Sequence, residues 1–252
     1  MKLESPILNQ KNILNEISQI EFDQSTPVRQ TGRLHSLHAL IDLILFLSVM
    51  FLVREIRLDS LGFWGYSLFK SFATVGVATL LLYYRKQTWK DLGLTKPNNY
   101  LKSLGVAVII LIGTVISIMI FEIFFRDILF SNTDSVAASD TFSELKGNIP
   151  YFFSIIFFVW IESFLEELQD RGFSLNRFES LFQRISLSTV FAVLSQAAIF
   201  GFRHSYDFSP RSITTGLIGL VFGTVYVLTG RNLWPLIIAH IYLNTMSMID
   251  RI

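Results

Sequence analysis

The chain has no cysteine and little charge: Asp, Glu, Lys and Arg together make up only 16% of its 252 residues. Without cysteine there is no disulfide framework, no thiolate metal site and no cysteine nucleophile. A soluble domain is roughly a quarter charged, so the shortage of charge argues against a soluble fold. The net charge of +1 gives no global case for nucleic acid as a partner. A short charged start leading into an apolar run, the mark of a cleavable signal, is also missing. Residues 1–36 are instead polar, rich in Asn, Gln and Ser, and read as a soluble tail. What fills the chain is apolar: 51% of residues are hydrophobic, 24 of them Phe, which places it among membrane proteins before any motif is read.

A helix needs roughly 20 mostly apolar residues to cross a bilayer. Seven candidate spans follow, at 37–53, 63–84, 103–125, 150–170, 186–204, 211–229 and 233–249. The expected fold is all-α, a polytopic transmembrane helical bundle of about seven to eight spans. By this reading residues 37–125 form N-terminal transmembrane helices and residues 145–250 a core that carries the motifs below. Residues 130–149 read as a polar external loop. Basic residues gather in the tail and at Arg85, Lys86, Lys90, Lys96 and Lys102, whereas 126–149 holds only Arg126 and Lys146. The positive-inside rule puts the N-terminus in the cytoplasm, and seven spans put the C-terminus outside. No internal repeat is visible, which counts against a transporter. Gly219 and Gly223 make a small-xxx-small face suited to close helix packing.

Ionised side chains are costly in a membrane helix, yet "FFVWIESFLEELQDRGF" at 157–173 places Glu162, Glu166, Glu167, Asp170 and Arg171 close together. Three polar sets stand in the last part of the chain: Glu166-Glu167-x-x-x-Arg171, Phe200-x-x-x-His204 and His240-x-x-x-Asn244. Each has a plainer reading. The acids could be the solvated end of a span, His204 an interfacial residue beside Arg203, and Asn244 a helix–helix hydrogen bond.

Helical geometry narrows the choice. Glu167 and Arg171 are one turn apart and placed to pair. Glu166 points well away from Arg171 and shares a face with Glu162, which leaves it as the candidate base. His240 and Asn244 share a face, as do Phe200 and His204. If the fourth helix runs to about residue 182, Glu166 and His204 lie level across an antiparallel hairpin turning near 185. His240 joins that level if 171–190 protrudes into the cytoplasm, which the charges of Arg177, Glu179 and Arg184 suit. One Glu, two His and one Asn fit amide hydrolysis. Glu166 would take a proton from a water held by His204, with His240 and Asn244 donating to the oxyanion. Alternatively Glu166, His204 and His240 could bind zinc with an open position. The absence of a His-Glu-x-x-His helix leaves the zinc version behind.

These three sets, "EELQDR", "FGFRH" and "HIYLN", resemble the motifs of the CPBP intramembrane proteases. That family groups CAAX prenyl endoproteases with bacterial bacteriocin-processing and immunity (Abi) proteins. The resemblance covers about residues 145–250; "KDLGLTKPNNYLKSLG" also looks like the family's loop before the third span. It implies a multi-pass membrane peptidase in which Glu166 is the base, His204 helps position water, and His240 and Asn244 form the oxyanion site. Glu167, Arg171 and Phe200 would support them. It implies membrane lipid and a peptide or lipidated protein as partners, and a bacterial inner membrane as the home. The metalloprotease label used for the family keeps zinc open as a cofactor, but a metal-free glutamate mechanism fits the residue roles better. Gln169 and Asp170 stand where many relatives have apolar residues, which bears on substrate access. The alternative reading is a non-proteolytic immunity or adaptor protein on the same scaffold.

Overall fold

A computed structural model describes residues 25–56, 58–130 and 144–252. Most of the expected polar tail and residues 131–143 of the expected external loop lie outside them. Seven long helices follow one another among the described residues, and no strand occurs. These are α1 (Ser25–Leu52), α2 (Gly62–Tyr84), α3 (Tyr100–Ile120), α4 (Ile149–Glu167), α5 (Ser188–Ser205), α6 (Pro210–Leu228) and α7 (Trp234–Ile249). A π-helical turn, Phe121–Phe125, carries α3 on into Arg126–Phe130. A longer π-helical stretch, Leu168–Leu175, carries α4 on into Asn176–Phe182. Every expected span corresponds to a helix. With their extensions, α1 to α4 and α6 are long and apolar enough to cross a membrane, and α7 is a shorter apolar helix. One boundary differs: α1 begins at Ser25, so the end of the stretch read as tail is helical.

Local chemistry sets the helix starts. Asn99, Asn148 and Ser209 cap α3, α4 and α6 by accepting from backbone N–H groups of the first turn. Pro sits in the first turn of α4, α6 and α7, where a missing N–H costs nothing. Along α3 the large side chains Leu101, Ile109, Ile112 and Ile123 stay exposed, while Ser103, Ala107 and Thr114 turn inward. That arrangement suits hydrocarbon, where small residues pack helices and large apolar ones face lipid.

The most extensive helix pair is α5 with α6. Glycines permit it. A Cβ on Gly201 would lie 2.3 Å from the Ser212 carbonyl oxygen, and one on Gly219 would lie 3.1 Å from the Ala197 Cα. The packing role read for Gly219 and Gly223 therefore holds, and Gly201 on the facing helix makes the tighter approach.

The extension of α4 is not isolated from the rest of the bundle. It packs against α1 and α5, and Phe173 and Leu175 are fully buried. The charges read as solvated are paired. Asp42 of α1, almost fully buried, takes Arg85 at 2.8 Å and Arg177 at 3.1 Å, while Glu179 meets Arg231 at 2.8 Å. Asn176 donates to the carbonyls of Arg171 and Gly172, two of the acceptors that the π-helical register displaces.

Gly201→Ala is expected to lower the thermal midpoint in detergent, at a cost of about 1–3 kcal/mol from overpacking against a backbone oxygen. Gly76→Ala, at an exposed position on α2 where an added Cβ meets nothing within 4 Å, is expected to leave the midpoint unchanged or raise it. Equal midpoints for wild type and Gly201→Ala would remove the packing role.

Candidate active site

The three motifs come together from three helices. α4 packs on α7, and its π-helical stretch packs on α5. At the meeting point Glu166 Oε2 lies 3.5 Å from His240 Nε2 and 3.9 Å from His204 Nε2. Both histidines thus turn the same ring nitrogen toward one carboxylate.

Their other nitrogens are pinned. His204 Nδ1 lies 2.6 Å from the Phe200 carbonyl oxygen, and His240 Nδ1 lies 2.6 Å from Glu167 Oε1. A carbonyl and a carboxylate oxygen only accept, so each Nδ1 carries the proton. In a neutral ring Nε2 is then an acceptor; in a protonated ring it is a donor. Glu167 Oε1 also accepts from the Arg171 guanidinium at 2.9 Å, and both residues are wholly buried. The Arg171 guanidinium in turn sits over the Phe200 ring at 4.3 Å and the Phe222 ring at 5.0 Å. The Phe200 ring lies 4.5 Å from the His204 ring. Phe200 therefore separates the buried cation from His204, which gives its place in the second motif a physical meaning.

The division of the acidic pair expected from angles holds: Glu167 binds Arg171 and Glu166 faces the histidines. The Glu167–His240 bond was not foreseen. Asn244 is the site residue that stands apart. Its amide nitrogen donates to Ser163 Oγ at 2.9 Å, and Ser163 in turn donates to the Val159 carbonyl. An amide has two N–H groups, and the bond to Ser163 uses one of them. Glu162, one turn before Glu166, accepts from Ser71 Oγ at 2.6 Å.

Sequence reasoning missed Arg203. One of its nitrogens lies 2.7 Å from Asp170 Oδ2 and 3.5 Å from Glu166 Oε2. Asp170 is wholly buried in this pair. The signal was present. Glu162, Glu166 and Asp170 recur every four residues, and such an acidic stripe requires a cation opposite. Among the described residues no group of three His, Asp or Glu side chains is arranged to hold a metal ion. The charge beside Glu166 in this structure is the Arg203 guanidinium.

Residues 148–246 match the model of a protein family described as Rce1-like, type II CAAX prenyl endopeptidase. The match runs from the start of α4 to near the end of α7 and contains all three motifs. It bears out the resemblance to the CPBP and CAAX proteases read from those motifs. No curated protein and no solved structure matches the chain.

Glu167→Gln is expected to destabilise the fold by about 3–5 kcal/mol, because it leaves the buried Arg171 charge without its counter-charge. Thermal unfolding in detergent measures this, and an unchanged midpoint would overturn the structural role of Glu167.

Proposed function

We propose that this protein is an intramembrane endopeptidase. It hydrolyses peptide bonds of membrane-associated or lipidated peptides with a water activated by Glu166. The observation that carries the reading is the approach of both Nε2 atoms, from two different helices, to one carboxylate in a helical bundle suited to a membrane. The family match of the same region to CAAX prenyl endopeptidases supports the choice of peptide bond and lipidated substrate.

The geometry supports these roles. The 3.9 Å separation of Glu166 and His204 is too long for a direct hydrogen bond and suits a bridging water. Such a water donates one proton to the carboxylate and one to neutral His204 Nε2, which turns a lone pair outward. Attack forms the C–O bond as Glu166 takes the water proton. His240, fixed through Nδ1 by Glu167, turns Nε2 toward the oxyanion, to which it donates when that nitrogen carries a proton, and Asn244 offers its second N–H. Collapse breaks the C–N bond, and Glu166 passes its proton to the leaving nitrogen.

Wild type and Glu166→Gln, purified in detergent with matched thermal midpoints, are to be compared on a lipidated C-terminal peptide and on a membrane-peptide library. A loss of kcat of about a hundredfold or more is expected from removing the base. Equal turnover by both would overturn the role of Glu166. No turnover by either would favour the adaptor alternative. Chelator treatment of the active enzyme is expected to leave turnover unchanged; a loss restored by zinc would reinstate the metal mechanism.

A further inference from the structure

Arg203 and Asp170 form a unit that the proposed mechanism does not use. Glu162 and Glu166 of α4 and Asp170 of the π-helical stretch follow at four-residue spacing, and Arg203 of α5 is the only Lys or Arg among the described residues in contact with Glu166. The guanidinium cannot drift. Asp170, with no exposed side chain, holds it at 2.7 Å, and it lies 5.1 Å from the Phe200 ring centre. The side chains of Arg203, Glu166 and His204 are each partly reachable, at 12%, 17% and 23% exposure.

We propose that Arg203 is a further positioning residue of the site, fixed by Asp170, that holds the Glu166 carboxylate in the orientation facing His204 and His240. The pair acts as one device: Asp170 aims the cation, and the cation aims the base. The flexible arginine side chain, if untethered, would hold its guanidinium at no fixed position beside Glu166. Tethered from behind, it leaves Glu166 at 3.5 Å, a looser contact than the 2.7 Å bond to Asp170. The orientation of the glutamate base then depends on charges at positions that the motifs leave variable.

The inference rests on the peptidase reading for its kinetic test but not for its spectroscopic one. The full-length protein in detergent is to be studied as wild type, Asp170→Asn, Arg203→Lys and the paired apolar variant Asp170→Leu/Arg203→Leu, which removes both buried charges together. Rates are normalised to folded protein. In the paired variant kcat is expected to fall about tenfold to a hundredfold with KM within about twofold, as for a misaligned base. Arg203→Lys is expected to restore part of kcat. Asp170→Asn is expected to lower kcat although Arg203 is present. Infrared difference spectra give the second readout: the carboxylate band that Glu166→Gln removes is expected to shift in the paired variant. A paired variant with wild-type kcat and an unshifted band would overturn the positioning role. Absence of turnover in the wild type would defeat the peptidase reading, and the carboxylate band would still decide the role of Arg203.

Discussion

One oxygen organises the site. Glu167 Oε1 accepts from Arg171 on its own helix and from His240 on α7. An ionised pair with no exposed surface survives only when each charge is matched and further bonded. The Glu167 carboxylate is matched by Arg171 and bonded to His240. Arg171 is matched by Glu167 and lies over two aromatic rings. The bond to His240 fixes which ring nitrogen turns toward Glu166, and the aromatic contact through Phe200 reaches His204. Remove that carboxylate, and α4, α5 and α7 lose their shared reference point.

The rest of the bundle brings these elements within reach. Glycines at 201, 219 and 223 let α5 and α6 approach almost backbone to backbone, which presses Phe200 and Phe222 toward Arg171. The π-helical stretch begins at the residue after Glu167 and spans Asp170 and Arg171. Such a register widens the helix, and stretches of this kind recur at functional sites. Asn176 Nδ2 lies within hydrogen-bond reach of the Arg171 and Gly172 carbonyls and the Tyr226 hydroxyl, and its Oδ1 accepts from Arg231. Farther along, Asp42 ties α1 to the end of α2 and the end of α4. These buried charges are paired, and each pair joins two helices or stiffens one.

Much of this was legible in the residues. Apolar runs marked every helix, because hydrocarbon leaves the backbone no other partner. The spacing of Glu167 and Arg171 gave their bond, since four residues make one turn. What could not be read was which face of one helix meets which face of another. Periodicity says that His240 and Asn244 share a side of α7, but not that Glu167 lies beyond one and Ser163 beyond the other. Arg203 was set down as an interfacial neighbour of His204 because its partner Asp170 lies 33 positions earlier. Arg177 and Glu179 read as a solvated end because their partners, Asp42 and Arg231, lie far away in the chain. Pairing between distant residues turns an apparently exposed charge into a buried one, and local pattern carries no sign of it.

The adjacent acids at the centre of the site make sense once sorted by depth rather than by motif. Glu167 and Asp170 have no exposed side chain, and each holds a guanidinium. Glu166, just before them in sequence, is partly reachable, and its charged neighbours stand at 3.5 Å or more. A carboxylate locked into short bonds to fixed donors makes a good scaffold and a poor base, because taking a proton would mean giving those bonds up. A carboxylate with partners at longer reach keeps its lone pairs for a substrate or a water. The two inner acids accept the short bonds, and so the outer one is spared them. Chemistry in a membrane bundle needs an ionised group that is surrounded yet not satisfied, and here the neighbouring carboxylates supply that condition by taking the nearest cations for themselves.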